Sequence, residues 1–177
     1  MNKAQAYLKS NFLKFLLAAI AFLLIIGIVA YFTFTPKYEF DSFENGYAII
    51  LCNSRSETIT FPDKHQGKPV VKIGSLVFGF YDSVRILQIP DSVTLINHSA
   101  FYDVNSLEEC VVGKNVREIG EAAFYNCSNL TRVELPGSIT LIDKTAFEGC
   151  NNLTIYGVKG SYVEQFARNY GIPFIAK

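Results

Sequence analysis

Phenylalanine recurs every 23 residues through the middle of this chain, at Phe78, Phe101, Phe124 and Phe147. The same step joins Ile73, Ile96, Ile119 and Ile142, and again Val84, Leu107, Leu130 and Leu153. It also joins Ile89, Val112, Leu135 and Val158, with Leu87, Cys110, Val133 and Tyr156 two places earlier. Five apolar columns in one register, with no insertion, constrain the fold more than any other feature. A fixed period of this length marks a solenoid, in which no unit can bury its apolar side alone and each must stack on its neighbours. The periodicity therefore predicts a β-rich repeat solenoid of about five rungs, with residues 73–158 as its repeats.

Composition narrows the function classes. Lys plus Arg equals Asp plus Glu at 16 each, so no bulk field draws nucleic acid or acidic lipid to the chain. The four cysteines, Cys52, Cys110, Cys127 and Cys150, include no close CxxC pair, and two histidines (His65 and His98) complete a poor ligand set for zinc. No cofactor or metal is expected. Cys127 and Cys150 lie one repeat apart in a column that begins with Tyr81 and Val104. Stacked strands about 4.8 Å apart fall within the Cα range of a disulfide, about 4.4–6.8 Å. The alternative is two reduced thiols packed as small buried hydrophobes.

The N-terminal part has a different character. Residues 1–14 are polar and carry Lys3, Lys9 and Lys14; Phe15 to Phe34, through Leu24, then runs without a charge. At about 1.5 Å per residue such a run spans roughly 30 Å, the hydrocarbon thickness of a bilayer, and its backbone must be satisfied within a helix. Tyr31 and Phe34 suit the interface, and Pro36 helps end the segment. The lysine bias predicts residues 1–14 as a cytoplasmic tail, 15–34 as a single transmembrane helix, 35–37 as a linker and the remainder as extracytoplasmic. A cleaved signal peptide is the competing reading, but the apolar run is long and Ile28-Val29-Ala30 lacks a small residue at minus three.

Caps are expected on both ends of the repeats, since a bare first rung would expose core and strand edge together. Residues 38–72 read as an N-terminal β cap: a hairpin about Glu44-Asn45-Gly46, a strand from Thr58 to Phe61, and Val70 on the column of Val93, Val116 and Ile139. Residues 159–177 read as a C-terminal helical cap. Ser161 and Glu164 form a capping-box pattern, Val163, Phe166, Ala167 and Tyr170 share one helical face, and Ile172 to Ala176 can add a last strand.

The segment from Ile119 through Gly120, Ala123, Phe124, Cys127 and Leu130 to Pro136 closely resembles the BspA-type leucine-rich repeat. That family's pattern is Ile-Gly-x-x-Ala-Phe-x-x-Cys-x-x-Leu followed by a strand and Pro. Ile142 to Leu153 matches with Asp143 in place of Gly, and Gly67–Gly74 and Gly160–Glu164 resemble the family's opening and closing segments. The resemblance covers about residues 45–177; Val77 for Ala, and Tyr81 and Val104 for Cys, are its main departures. It implies recognition at a cell surface, such as adhesion or binding of host or matrix proteins, and no enzymatic activity. Five rungs at roughly 4.8 Å make a platform only about 25 Å long.

Candidate sites follow from the outward columns. Arg85 faces Glu108 on the next rung, and Glu109 faces Arg132, either as a ligand site or as a solvated face that sets register. The outward columns continue to Thr154, Ile155 and Gly157 in the last unit. Phe80, Tyr102 and Tyr125 can form an exposed aromatic patch of the kind enriched at interfaces, or simply cover the outer side. His98-Ser99 is the only Ser beside a His, and sequence neighbours rarely form a nucleophile and base. The sequons at Asn97, Asn126, Asn129 and Asn152 coincide with turns that need Asn anyway. The expected function is a membrane-anchored, non-catalytic protein-recognition module of adhesion type, with an unidentified protein ligand and the bilayer as partners. The alternative is a structural scaffold subunit paired with another envelope membrane protein.

Overall fold

The computed structural model describes residues 20–24, 37–78 and 83–177. Each turn of the chain is built from three sides. In one turn, β7 (Leu95–Ile96) lies on the first side, residues 97–106 form the second, and β8 (Glu109–Val111) lies on the third. The next turn repeats the order with β9 (Glu118–Ile119) and β10 (Arg132–Glu134), and the following one with β11 (Leu141–Ile142) and β12 (Thr154–Gly157). Corners between the third and first sides are tight: the carbonyls of Pro90, Gly113 and Pro136 accept from the N–H of Val93, Val116 and Ile139 at 3.2, 3.2 and 3.5 Å. Proline cannot continue a ladder, which suits it to this position. At Gly113 an added Cβ would lie 2.3 Å from the Pro90 carbonyl oxygen, so this one corner is closed to a side chain.

Stacking the turns produces two sheets. The first runs β1 (Lys37–Phe43), β2 (Gly46–Asn53), β5 (Lys68–Ile73), β7, β9, β11; the second runs β13 (Phe174–Ala176), β12, β10, β8, β6 (Ile86–Gln88), β3 (Thr58–Thr60). Apart from the β1–β2 hairpin and the short strand β4 (Lys64–His65) against β5, all pairings are parallel. The turn side also carries a ladder between rungs, for example Phe101 N–H to Ala123 O at 2.7 Å and Phe124 N–H to Ala146 O at 2.8 Å. Backbone groups are thus satisfied on all three sides, as a buried chain requires.

The interior is dry. No polar or charged residue is buried among the described residues, and Leu107, Leu130, Phe101, Phe124 and Ile119 are wholly enclosed. Phe78, Phe101, Phe124 and Phe147 pile into the expected row, with ring centroids 5.8, 4.9 and 5.1 Å apart. The row is longer than the repeats: Phe61 extends it at one end (5.9 Å to Phe78) and Phe166 at the other (6.2 Å to Phe147). Each fully buried large apolar side chain contributes about 1.5–3 kcal/mol.

The register departs from the expected columns in the last unit. Val133 pairs with Ile155 and Glu134 with Tyr156, so this strand is one residue closer to Leu153 than the repeat predicts. Ile155 and Gly157, expected outside, are buried; Tyr156 is half-buried, and Val158, expected in the core, is 48% exposed. A one-residue slip turns every side chain of a strand over, and burying Ile155 rather than Tyr156 decides which register wins.

The ends match their expected elements with local differences. The hairpin turns at Glu44 and Asn45, and β3 falls where a strand was expected. Residues 64–69 add a small hairpin of β4 against the start of β5. The C-terminal helix spans Tyr162–Asn169 with Ser161 as its N-cap; Glu164 reaches the N–H of Gly160 at 2.6 Å rather than that of Ser161. Val163, Phe166 and Ala167 are buried, but Tyr170, expected on the same face, is 51% exposed and lies against the Phe166 ring.

The N-terminal unit is described only at residues 20–24, which are helical and expose Ile20, Phe22, Leu23 and Leu24. The expected span 15–34, including Phe15 and Phe34, otherwise lies outside the described residues. Among the described residues no helix is long and apolar enough to cross a membrane.

Candidate functional site

The candidate residues fall on two sides of the rungs. Arg85 and Glu108 stand on the outer face of the second sheet, at the start of neighbouring strands. The guanidinium donates to both carboxylate oxygens, Nε to Oε1 and NH2 to Oε2, each at 2.8 Å, and Glu57 adds a contact at 3.6 Å. The Arg85 hydrogen bond holds the Glu108 carboxyl below its ordinary value, and Glu108 in turn raises Arg85. A two-point charge-assisted pair fixes both side chains in place.

Arg132 behaves differently from its expected role. It lies opposite Glu109 in the strand register, but its guanidinium bonds Glu134 on its own strand and sits 3.7 Å over the Tyr156 ring. The slip that brings Tyr156 opposite Glu134 provides the ring, and cation–π attraction then competes with the cross-strand carboxylate. Lys177 also bonds Glu134, whose carboxyl is pushed down first by Lys177 and then by Arg132.

On the turn side, Tyr102 and Tyr125 stack in parallel, with centroids 5.0 Å apart and an interplanar angle of 8°. Tyr102 is 44% exposed. Phe80, the third member of the expected patch, lies outside the described residues. Beside the pair runs a polar ladder: Asn126 donates to Asp103 at 2.6 Å and Ser128 to Asn105 at 2.7 Å. The tyrosine stack and the Arg85–Glu108 pair therefore form two separate rows.

Two features escaped the sequence reading. A groove of about 580 Å³ follows the ends of the second sheet's strands, lined by Gln88, Val111, Glu134, Tyr156 and the Pro90, Gly113 and Pro136 corner. Gln88, Val111 and Glu134 follow one another at the repeat step, and the slip puts Tyr156 rather than Gly157 next in that column. His98 Nε2 lies 3.0 Å from Ser75 Oγ, not against Ser99, and the Asn97 amide also donates to that Oγ at 3.1 Å. Both residues share one repeat column, so the spacing already contained that pair.

The cysteines are free thiols. Cys127 donates to the Phe101 carbonyl at 3.2 Å and Cys150 to the Phe124 carbonyl at 3.0 Å. The neighbouring Cys150 thiol, with burial, raises Cys127, and the neighbouring Cys127 lowers Cys150 against the opposing effect of burial. Burial alone pushes Cys52 up to about 12 and raises Cys110 as well.

Parallel turns with a Leu, Phe and Ile interior, one strand per sheet per turn, define a leucine-rich repeat solenoid. The chain belongs to the BspA type leucine-rich repeat family, whose model matches residues 47–167 in six copies. The match begins inside the segment expected as an N-terminal cap, consistent with β2 and β5 lying parallel to the later rungs. Leucine-rich repeat modules of this kind typically bind proteins and are not catalysts. A leucine-rich repeat protein from Bacteroides capillosus is similar at 27% identity and a TM-score of 0.61, over 68% of this chain and 93% of that one. A leucine rich cell surface protein from Faecalibacterium prausnitzii is similar at 35% identity and a TM-score of 0.58, over 72% of this chain and 38% of that one. A leucine-rich repeat protein from Bacteroides ovatus shares the fold, with a TM-score of 0.55 at 21% identity, over 71% of this chain and 37% of that one. This chain thus spans under two fifths of the last two. No curated protein sequence matches it.

Proposed function

We propose that this protein is a membrane-anchored, non-catalytic recognition module of adhesion type, presented on the extracytoplasmic side by a helix over residues 15–34. Residues 1–14 would form the cytoplasmic tail and 35–37 the linker. The similarity to a cell surface protein and the exposed apolar residues from Ile20 to Leu24 support this placement. Because the interior is entirely apolar, specificity must reside in the outward rows. The stack of exposed Tyr102 on half-buried Tyr125 carries the reading. Tyrosine brings large contact area with few rotatable bonds, and stacking holds both rings before a partner arrives, which lowers the ordering cost of binding. Arg85, Glu108, Glu109 and Arg132 would contribute a second, charged row.

Proximity labelling and crosslinking in intact cells test this. The double substitution Tyr102→Ala with Tyr125→Ala is expected to weaken capture of a partner about thirtyfold, the loss of a hot spot worth ~2 kcal/mol. Capture of an endogenous envelope protein, unchanged by that substitution and retained by residues 1–37 alone, would instead establish the scaffold role.

A further inference from the structure

We propose that Cys127 and Cys150 form a dithiol that closes reversibly to a disulfide, linking the turn side of the last two rungs. Three observations place these two thiols, and no other pair, in position. They occupy the same point on consecutive turns, and each donates to a carbonyl of the rung before it. The backbones approach closely beside them: Gly149 adopts φ +84°, and a Cβ there would lie 2.9 Å from Asn126 Cα. Finally, the environments are unequal. Cys127 is fully enclosed, while Cys150 is partly exposed and lines a cavity of about 460 Å³ between the last turn and the C-terminal helix, together with Lys144, Phe166 and Tyr170. Cys110 belongs to a strand column between Leu87 and Val133, and Cys52 pairs with Phe78 in the first turn.

This asymmetry orders the chemistry. The Cys150 thiolate attacks one sulfur of a small or flexible disulfide oxidant entering the cavity, forms a mixed disulfide and expels one thiolate. Cys127 then loses its proton and attacks the Cys150 sulfur, expelling the second thiolate. The two protons from the cysteines end on the two departing thiols, and the oxidant's disulfide is reduced as the protein's forms. The closed bond encircles one complete turn at the end of the stack, where no further full repeat supports it, and constrains the unfolded chain.

The test uses the full chain with oxidised glutathione as oxidant. Trypsin separates Cys127 on residues 118–132 from Cys150 on residues 145–159, with Cys52 and Cys110 on other peptides. The expected result is loss of two of the four thiols, a linked 118–132/145–159 species two hydrogens lighter than its parts, and a melting temperature about 5–10 °C higher that dithiothreitol reverses. Cys127→Val places at this position the residue that Val104 already provides one turn earlier; the variant is expected to fold, to stop at a glutathione adduct on Cys150 and to show no rise in melting temperature. Four titratable thiols after treatment, or a linkage through Cys110 or Cys52, would overturn the proposal.

Discussion

The middle turns and the two ends solve the same packing problem differently. Between β6 and β10, and between β5 and β11, partners lie 23 residues apart without exception. At the N-terminal end the offset moves from Tyr47–Val70 to Ala48–Lys72, and β3 reaches β6 through the pair Ile59–Leu87. At the other end Val133–Ile155 shortens it by one. Parallel pairing and a dry interior survive in every case; the spacing does not. Burial is therefore the conserved quantity, and the period is its consequence only where identical turns sit on both sides. Where a neighbour is missing, turns of unequal length restore the same contacts.

Four experiments would break or sharpen this contrast. The largest effect is expected from Phe124→Ala, at about 3–5 kcal/mol by urea unfolding. Phe166→Ala, at the end of the same row, should fall at the low end of that range because a terminal helix can settle into the space. Equal losses would mean the end is as rigid as the middle. Next, Ile155→Ala removes the buried side chain that decides the last register; it should cost about 2–4 kcal/mol, and a neutral substitution would refute the burial argument. Third, Gly113→Ala forces a Cβ to within 2.3 Å of the Pro90 carbonyl oxygen and is expected to cost about 1–3 kcal/mol. Gly160→Ala, with nothing within 4 Å at φ +78°, should lose only the conformational term of roughly 1–2 kcal/mol. Thermal melts against pH give the smallest and most distributed effect. Cys52 near the first end and Cys110 in the middle have raised folded values, so their contribution is complete below the ordinary thiol value of 9.0 and is lost as pH rises through the folded ones. Glu108 and Asp91 are lowered, by Arg85 and Lys114, so their contribution is present above 4.5 and 3.8 and fades as pH falls through the lower folded values. Glu108→Gln is thus expected to flatten the acid limb slightly and leave the alkaline limb unchanged; a change above pH 9 would contradict the assignment.

Much of the fold was legible because identical residues at a fixed step can share an interior only by stacking. The row from Phe78 to Phe147, the hairpin at Asn45-Gly46 and the Ser161 cap each rest on local chemistry that needs no distant partner. The candidate rows were legible to the extent that they stayed in register: Arg85 with Glu108, and Tyr102 with Tyr125. Arg132 shows the limit. Its opposite number was correctly placed as Glu109, but the competing ring of Tyr156 arrives through a slip that no single strand encodes. The Ser75–His98 contact lay in a repeat column yet was obscured by the nearer Ser99.

By itself the sequence determined the period, the dry interior and the direction of stacking, because each is dictated by residue type repeated at constant spacing. Only the tertiary structure decided where the period is broken, which face Ile155 and Tyr156 take, and which carbonyls the Cys127 and Cys150 thiols bond. Those outcomes depend on competition between alternative registers for the same buried space, and the energy that settles it comes from residues a full turn away.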